Sequence, residues 1–119
     1  MTVAEAVSLL EGQFFCGKEN GDREILSACG ADLMSDVMAF VKERVILLTG
    51  LVNPQVIRTA ELLDIQAIFF VRGKNPSVDM IDMAIESDIV LCGTKLPMYI
   101  SCGKLYEAGL TQGGTRQIQ

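Results

Sequence analysis

The chain has 119 residues, 15 acidic against 10 basic, a formal charge of −5 and no run or patch of Lys and Arg, which excludes nucleic acid and anionic membranes as expected partners. It has no histidine, so the commonest general base, the usual zinc nitrogen ligand and the Ser–His and Cys–His nucleophile pairs are all missing. Its length suits one domain; half the residues are hydrophobic and the mean hydropathy is +0.35, a surplus that predicts a homodimer or a docked protein partner.

In chain order, Thr2-Val3-Ala4-Glu5 reads as a capping box that opens a helix ending before Gly12. Gln13–Cys16 is a short strand, and the polar stretch from Gly17 to Arg23 turns at Asn20-Gly21. Ile25–Cys29 is the next strand. After it Asp32 is placed to cap a helix whose face is Leu33, Val37 and Val41, flanked by Met34 and Met38. Val45–Thr49 is a buried strand; Asn53-Pro54 pairs a cap with the favoured first helical residue, and Val56, Ile57, Ala60 and Leu63 then face inward. Ala67–Val71 is a third buried strand, and Ser77 caps a helix carrying Val78, Ile81, Ala84 and Ile85. Ile89–Cys92 is the last strand, and Pro97 opens a final helix that ends near Ala108-Gly109. The domain is expected over residues 1–110, with a flexible polar tail over 111–119. No apolar run approaches the length of a membrane span.

One motif is used four times: a short apolar strand running into glycine and then a helix start, at Gly30, Gly50, Gly73 and Gly93. Strands that are apolar throughout and alternate with helices signal an α/β domain with a mostly parallel sheet covered on both faces. Such sheets take ligands just beyond the carboxyl ends of their strands. The candidate ligand residues are therefore Gly30, Asp32, Thr49, Gly50, Arg72, Gly73, Gly93, Thr94 and Lys95. Arg72, Lys74 and Lys95 follow strand ends near helix N-termini; they either bind a small anion together or stand as solvated loop charges.

Catalytic chemistry has less support. Gly93-Thr94-Lys95 matches only the end of a phosphate-binding loop, because Ile89 stands where the earlier glycine belongs. Asp32 and Asp36 lie one turn apart, a spacing that suits either a Mg²⁺ ion or a cap plus a favourable dipole interaction. Ser35 has no base beside it. Cys16, Cys29, Cys92 and Cys102 contain no C-x-x-C pair and no secretory segment precedes them, so free thiols in a reducing cytoplasm are expected. Cys29 and Cys92, at equivalent strand ends, are either reactive thiols or small buried fillers. No catalytic residue, metal ligand or cofactor is assigned.

The stretch Ser27-Ala28-Cys29-Gly30-Ala31-Asp32-Leu33-Met34-Ser35-Asp36-Val37-Met38 resembles the core segment of the DRTGG domain family. The run from Ile46 to Gly109, including Thr49-Gly50, Ala67 to Gly73 and Gly103-Lys104-Leu105-Tyr106, is similar to it as well. The chain departs from the pattern at Ala31, a position often held by glycine. The resemblance spans about Val3 to Leu110 and implies a stand-alone member with an α/β fold like the N-terminal domain of HPr kinase/phosphorylase. Domains of that family sit beside CBS domains in pyrophosphatases, at the front of some phosphotransacetylases, and near iron-only hydrogenase and two-component genes in anaerobes. In these settings they are not the catalytic part. Together with the missing catalytic constellation, the apolar surplus and the helix N-termini at the strand ends, the resemblance points to a non-catalytic regulatory or ligand-sensing module that binds a small anionic metabolite or nucleotide and acts as a homodimer or docks on a protein partner. Two alternatives stay open: a small enzyme acting on a phosphorylated or acyl metabolite, and a thiol or iron–sulfur accessory of a hydrogenase-type system.

Overall fold

The computed structural model describes residues 1–39 and 43–113. Five strands, β1 (Gln13–Cys16), β2 (Ser27–Gly30), β3 (Val45–Thr49), β4 (Ala67–Phe70) and β5 (Val90–Gly93), form one sheet. Five helices, α1 (Val3–Leu9), α2 (Met34–Met38), α3 (Pro54–Leu62), α4 (Val78–Glu86) and α5 (Met98–Glu107), cover it. The strand order is β1-β5-β4-β3-β2; β2 to β5 run parallel and β1 pairs antiparallel with β5. This is the single α/β domain, mostly parallel and flanked by helices, that the repeated strand–glycine–helix order predicts.

Successive residues of each strand point to opposite faces. Val45, Leu47, Ile68, Phe70 and Leu91 pack under α2, α3 and α4, against Met34, Val56, Ile57, Ala60, Met80 and Ala84. Ile46, Leu48, Ala67, Phe69, Val90 and Cys92 pack under α1 and α5, against Val3, Ala6, Val7, Leu10 and Leu105. β3 and β4 are buried along their whole length, which is why they read as continuous apolar runs rather than alternating ones.

The helix starts follow the local chemistry at three of five positions. Thr2 and Glu5 close a capping box, Asn53 accepts from the Gln55 N–H at 2.8 Å ahead of Pro54, and Ser77 accepts from the Met80 N–H at 3.2 Å. Pro97 caps α5 without a side-chain bond. At α2 the expectation is overturned. Leu33 takes the cap position with no side-chain bond, and Asp32 turns away to β3. Leu33, expected inside, is 61% exposed; Met34 and Val37 form the buried pair one turn apart, and Val41 lies outside the described residues. In α4 the buried pair is Met80 and Ala84, which leaves Val78 and Ile85 outward.

The strands also shift toward the glycines: β2 ends at Gly30 and β5 at Gly93, while Ile25 and Ile89 are buried in the approaches. Residues 111–113, placed in the expected tail, run beside β2. The Ala28 N–H donates to the Gln112 carbonyl at 2.9 Å, and Gly113 bridges Ala28 in parallel sense. Residues 114–119 of that tail lie outside the described residues. Among the described residues, no helix is long and apolar enough to cross a membrane.

Candidate functional site

All four parallel strands end at one edge of the sheet, where the nine candidate residues also lie. Two of these strand ends share one local device. The Thr49 hydroxyl accepts from the Leu51 N–H at 3.1 Å, and the Thr94 hydroxyl accepts from the Leu96 N–H at 3.1 Å. Each hydroxyl also donates outward, Thr49 to Asp32 Oδ1 at 3.2 Å and Thr94 to the Leu10 carbonyl at 2.6 Å. Both threonines are buried, and these bonds occupy their hydroxyls. They fasten the chain where strand becomes loop. Their sequence signal is a threonine beside a strand-end glycine, which reads equally well as a ligand group.

Asp32 belongs to the first of these clusters. Besides the Thr49 hydroxyl, its Oδ1 accepts the Gly50 N–H at 2.7 Å, so the carboxylate ties the end of β2 to the end of β3 rather than capping α2. Gly30 is explained by packing. A Cβ built there would lie 2.8 Å from Cys102 Sγ and 3.3 Å from Met98 Sδ, so α5 can approach β2 only where the side chain is missing.

Arg72, Gly73, Gly93, Thr94 and Lys95 form a second group around the ends of β4 and β5. Arg72 and Gly73 both have positive φ, 62° and 72°, and the Lys74 N–H donates to the Val71 carbonyl at 3.3 Å, closing a tight turn. The Arg72 N–H donates to the Leu96 carbonyl at 2.9 Å and the Gly73 N–H to the Thr94 carbonyl at 2.8 Å, so the two loops are laced together. The chain then divides. β4 continues to α4 on one face of the sheet and β5 to α5 on the other. A parallel sheet whose adjacent strands feed helices on opposite faces opens a crevice at that point.

The crevice is present. A cleft of about 370 Å³ is lined by Gly73, Lys74 and Asn75 from the first loop, Gly93, Thr94 and Lys95 from the second, and Glu11, Gly12, Gln13 and Phe15 from the start of β1. Its size falls within the range of small-molecule sites. Four of the nine candidates line it: Gly73, Gly93, Thr94 and Lys95. Arg72 stands in the turn beside it. Gly30, Asp32, Thr49 and Gly50 do not line it; the β3 end lies two strand spacings from β5, roughly 10 Å. The candidates therefore form two groups along one edge, not one converging set. Sequence reading missed the β1 wall, Glu11 to Phe15, because antiparallel pairing with β5 brings it in from the far end of the chain.

The cysteines are free and carry no sign of activation. Burial pushes the Cys29 thiol up to about 11, with the nearby Cys102 and Asp36 adding to the shift. Burial raises Cys92 well above the ordinary range, and raises Cys16 and Cys102 as well. These thiols stay protonated at neutral pH, the behaviour of apolar fillers. Cys29 and Cys92 also face opposite sides of the sheet, three strand spacings or about 14 Å apart. Among the described residues, no three Cys, Asp or Glu side chains are grouped to hold a metal ion.

The fold and the cleft define an α/β domain with a ligand-sized crevice at the split of its sheet. No protein-family profile matches the chain. No curated protein matches it. Among solved structures it is similar to the CBS and DRTGG domains of the regulatory region of Clostridium perfringens pyrophosphatase, complexed with the activator diadenosine tetraphosphate. The TM-score is 0.68 at 14% identity, over 87% of this chain and 45% of that one. The chain thus has a DRTGG-like fold and spans less than half the length of that regulatory region.

Proposed function

We propose that this chain is a cytoplasmic regulatory module that senses a small anionic metabolite, a nucleotide above all, and acts as a homodimer or docked on a protein partner. The observation that carries the reading is the cleft between the ends of β4 and β5, with Lys74 and Lys95 in its wall and Glu11 as the one acidic group there. The two ammonium groups attract phosphate, the side-chain amides of Gln13 and Asn75 offer donors and acceptors to a base, and Phe15 adds an aromatic surface. A regulatory role is supported by the fold. The similar pyrophosphatase region is regulatory and is complexed with a dinucleotide activator. The cleft's titratable groups are Glu11, Lys74 and Lys95, with no cysteine or histidine among them.

Isothermal calorimetry with diadenosine tetraphosphate, ATP and acetyl phosphate tests the reading. Replacing Lys74 and Lys95 together by Ala weakens the bound anion by about 1.5–3 kcal/mol for each charge-assisted hydrogen bond lost. An unchanged dissociation constant, or no binding of any of the three by the wild-type chain, overturns it.

A further inference from the structure

The outward face of α5 is unusual for an exposed helix in an acidic chain. With 3.6 residues per turn, Tyr99, Gly103 and Tyr106 form one stripe, with Ile100 and Glu107 beside it. Tyr99 is 86% exposed, Tyr106 is 64% exposed and Ile100 is 41% exposed. Gly103 sits between the two rings in the middle of the helix. Glycine is among the poorest residues for a helix interior, and where it occurs there it usually lets something approach closely. Among the described residues nothing does so: a Cβ at Gly103 meets no atom within 4 Å, and the backbone φ is not positive. Gly30 and Gly93, by contrast, are each crowded by a neighbouring side chain.

We infer that the Tyr99–Gly103–Tyr106 face of α5 is a self-association surface, on which a second copy of the chain packs its own α5 across Gly103. This places the homodimer of the function proposed above on a particular surface and does not depend on the anion cleft. A two-fold axis at Gly103 makes the contact self-complementary. In an antiparallel crossing there, Tyr106 of one protomer faces the partner's Ile100, and Glu107 faces the partner's Tyr99, whose hydroxyl can donate to the carboxylate. Tyr106 also borders an apolar cavity of about 240 Å³ between α5 and β2, lined by Ala28, Leu48, Cys102, Leu105 and Leu110, which extends the apolar surface inward.

Charge selects this face over its rival. α4 also exposes two large apolar side chains a heptad apart, Val78 at 73% and Ile85 at 61%. They are interleaved with exposed Asp79, Asp82 and Glu86, so a second copy there would bring six carboxylates together. The α5 face has Glu107 beside its stripe and Lys104 on its flank, so a second copy there brings two carboxylates together rather than six. The two rings and Ile100 supply roughly 400 Å² per copy, about half of the ~800 Å² per partner of a standard interface. An interface of that size stands at the weak end of the range, which corresponds to a dimer that dissociates on dilution.

Sedimentation velocity of the full chain, from low micromolar to several hundred micromolar, tests the inference. The expected result is a concentration-dependent monomer–dimer equilibrium that Tyr106→Glu and Gly103→Arg each weaken at least tenfold, and that Val78→Glu with Ile85→Glu leaves unchanged. Gly103→Ala guards against misfolding. It favours the isolated helix, so it raises the melting temperature of the dilute monomer while weakening the dimer. A dimer that survives Tyr106→Glu and Gly103→Arg overturns this surface but leaves the homodimer standing. A wild-type chain that stays monomeric throughout overturns both, and neither result bears on anion binding.

Discussion

Gly30 separates two reasons for a glycine at a strand end: close approach of a ligand, or close approach of the chain's own α5. The geometry favours the second. An alanine methyl there meets Cys102 Sγ at 2.8 Å, about 1 Å inside ordinary contact, and Met98 Sδ at 3.3 Å. Met98 can flex, but Cys102 has a single side-chain torsion and sits on a helix anchored by the buried Ser101 and Leu105. Overpacking of this kind costs about 1–3 kcal/mol, and replacing glycine returns about 0.5–1 kcal/mol because the unfolded chain is less free. Gly30→Ala should therefore destabilise the protein by about 1–2 kcal/mol, a fall of about 4 °C in Tm per kcal/mol for a domain of this size. Cys102→Ala makes the missing room on the other side of the contact. In that background Gly30→Ala should be close to neutral, a coupling of about 1–2 kcal/mol in a double-mutant cycle. Urea denaturation with unchanged m values reads all four corners. Two results refute the reasoning: a harmless Gly30→Ala in the wild-type chain, or a cost that Cys102→Ala does not relieve. The double variant should bind anions as the parent does, since Gly30 does not line the cleft.

Asp32→Ala removes the acceptor for the Thr49 hydroxyl and the Gly50 N–H and should cost about 1 kcal/mol in thermal denaturation. Asp32→Asn keeps one oxygen acceptor and should cost clearly less; equal losses would refute the bonding role. Arg72→Gly relieves a non-glycine residue at a φ of 62° and should stabilise the chain by about 1 kcal/mol, a gain that a melting curve will show or deny. The folded state holds the Cys29 proton more tightly than the unfolded chain does, so its contribution is complete below pH 9 and is lost as pH rises toward about 11. Stability should therefore fall with alkaline pH, by at most about 1.4 kcal/mol per unit for this thiol, and Cys29→Ala should flatten the decline. An identical pH profile in that variant would contradict the assignment.

The sequence by itself determined the central strands and three of the helix caps. Val45–Thr49 and Ala67–Phe70 are apolar at every position because both faces of a parallel sheet are covered, and no tertiary knowledge is needed to read that. The caps at Thr2, Asn53 and Ser77 are equally local, each a side chain satisfying an N–H two or three residues away. The common edge for strand-end loops follows from parallel strands alone. Three further features rest on contacts between segments distant in the chain. Asp32 looks like a cap because it precedes a helix, but Thr49 and Gly50, seventeen and eighteen residues on, offer it two donors. The cleft needs β1 beside β5, a pairing of Gln13 with Gly93 across eighty residues, and it needs α4 and α5 to leave on opposite faces. Gly30 and Gly103 both follow a cysteine in sequence, yet one is crowded by Cys102 from its own chain and the other meets no atom within 4 Å among the described residues. Periodicity and capping act within a few residues and survive in any window of sequence. Which strand ends become neighbours depends on the packing of the whole sheet, and only the folded chain decides it.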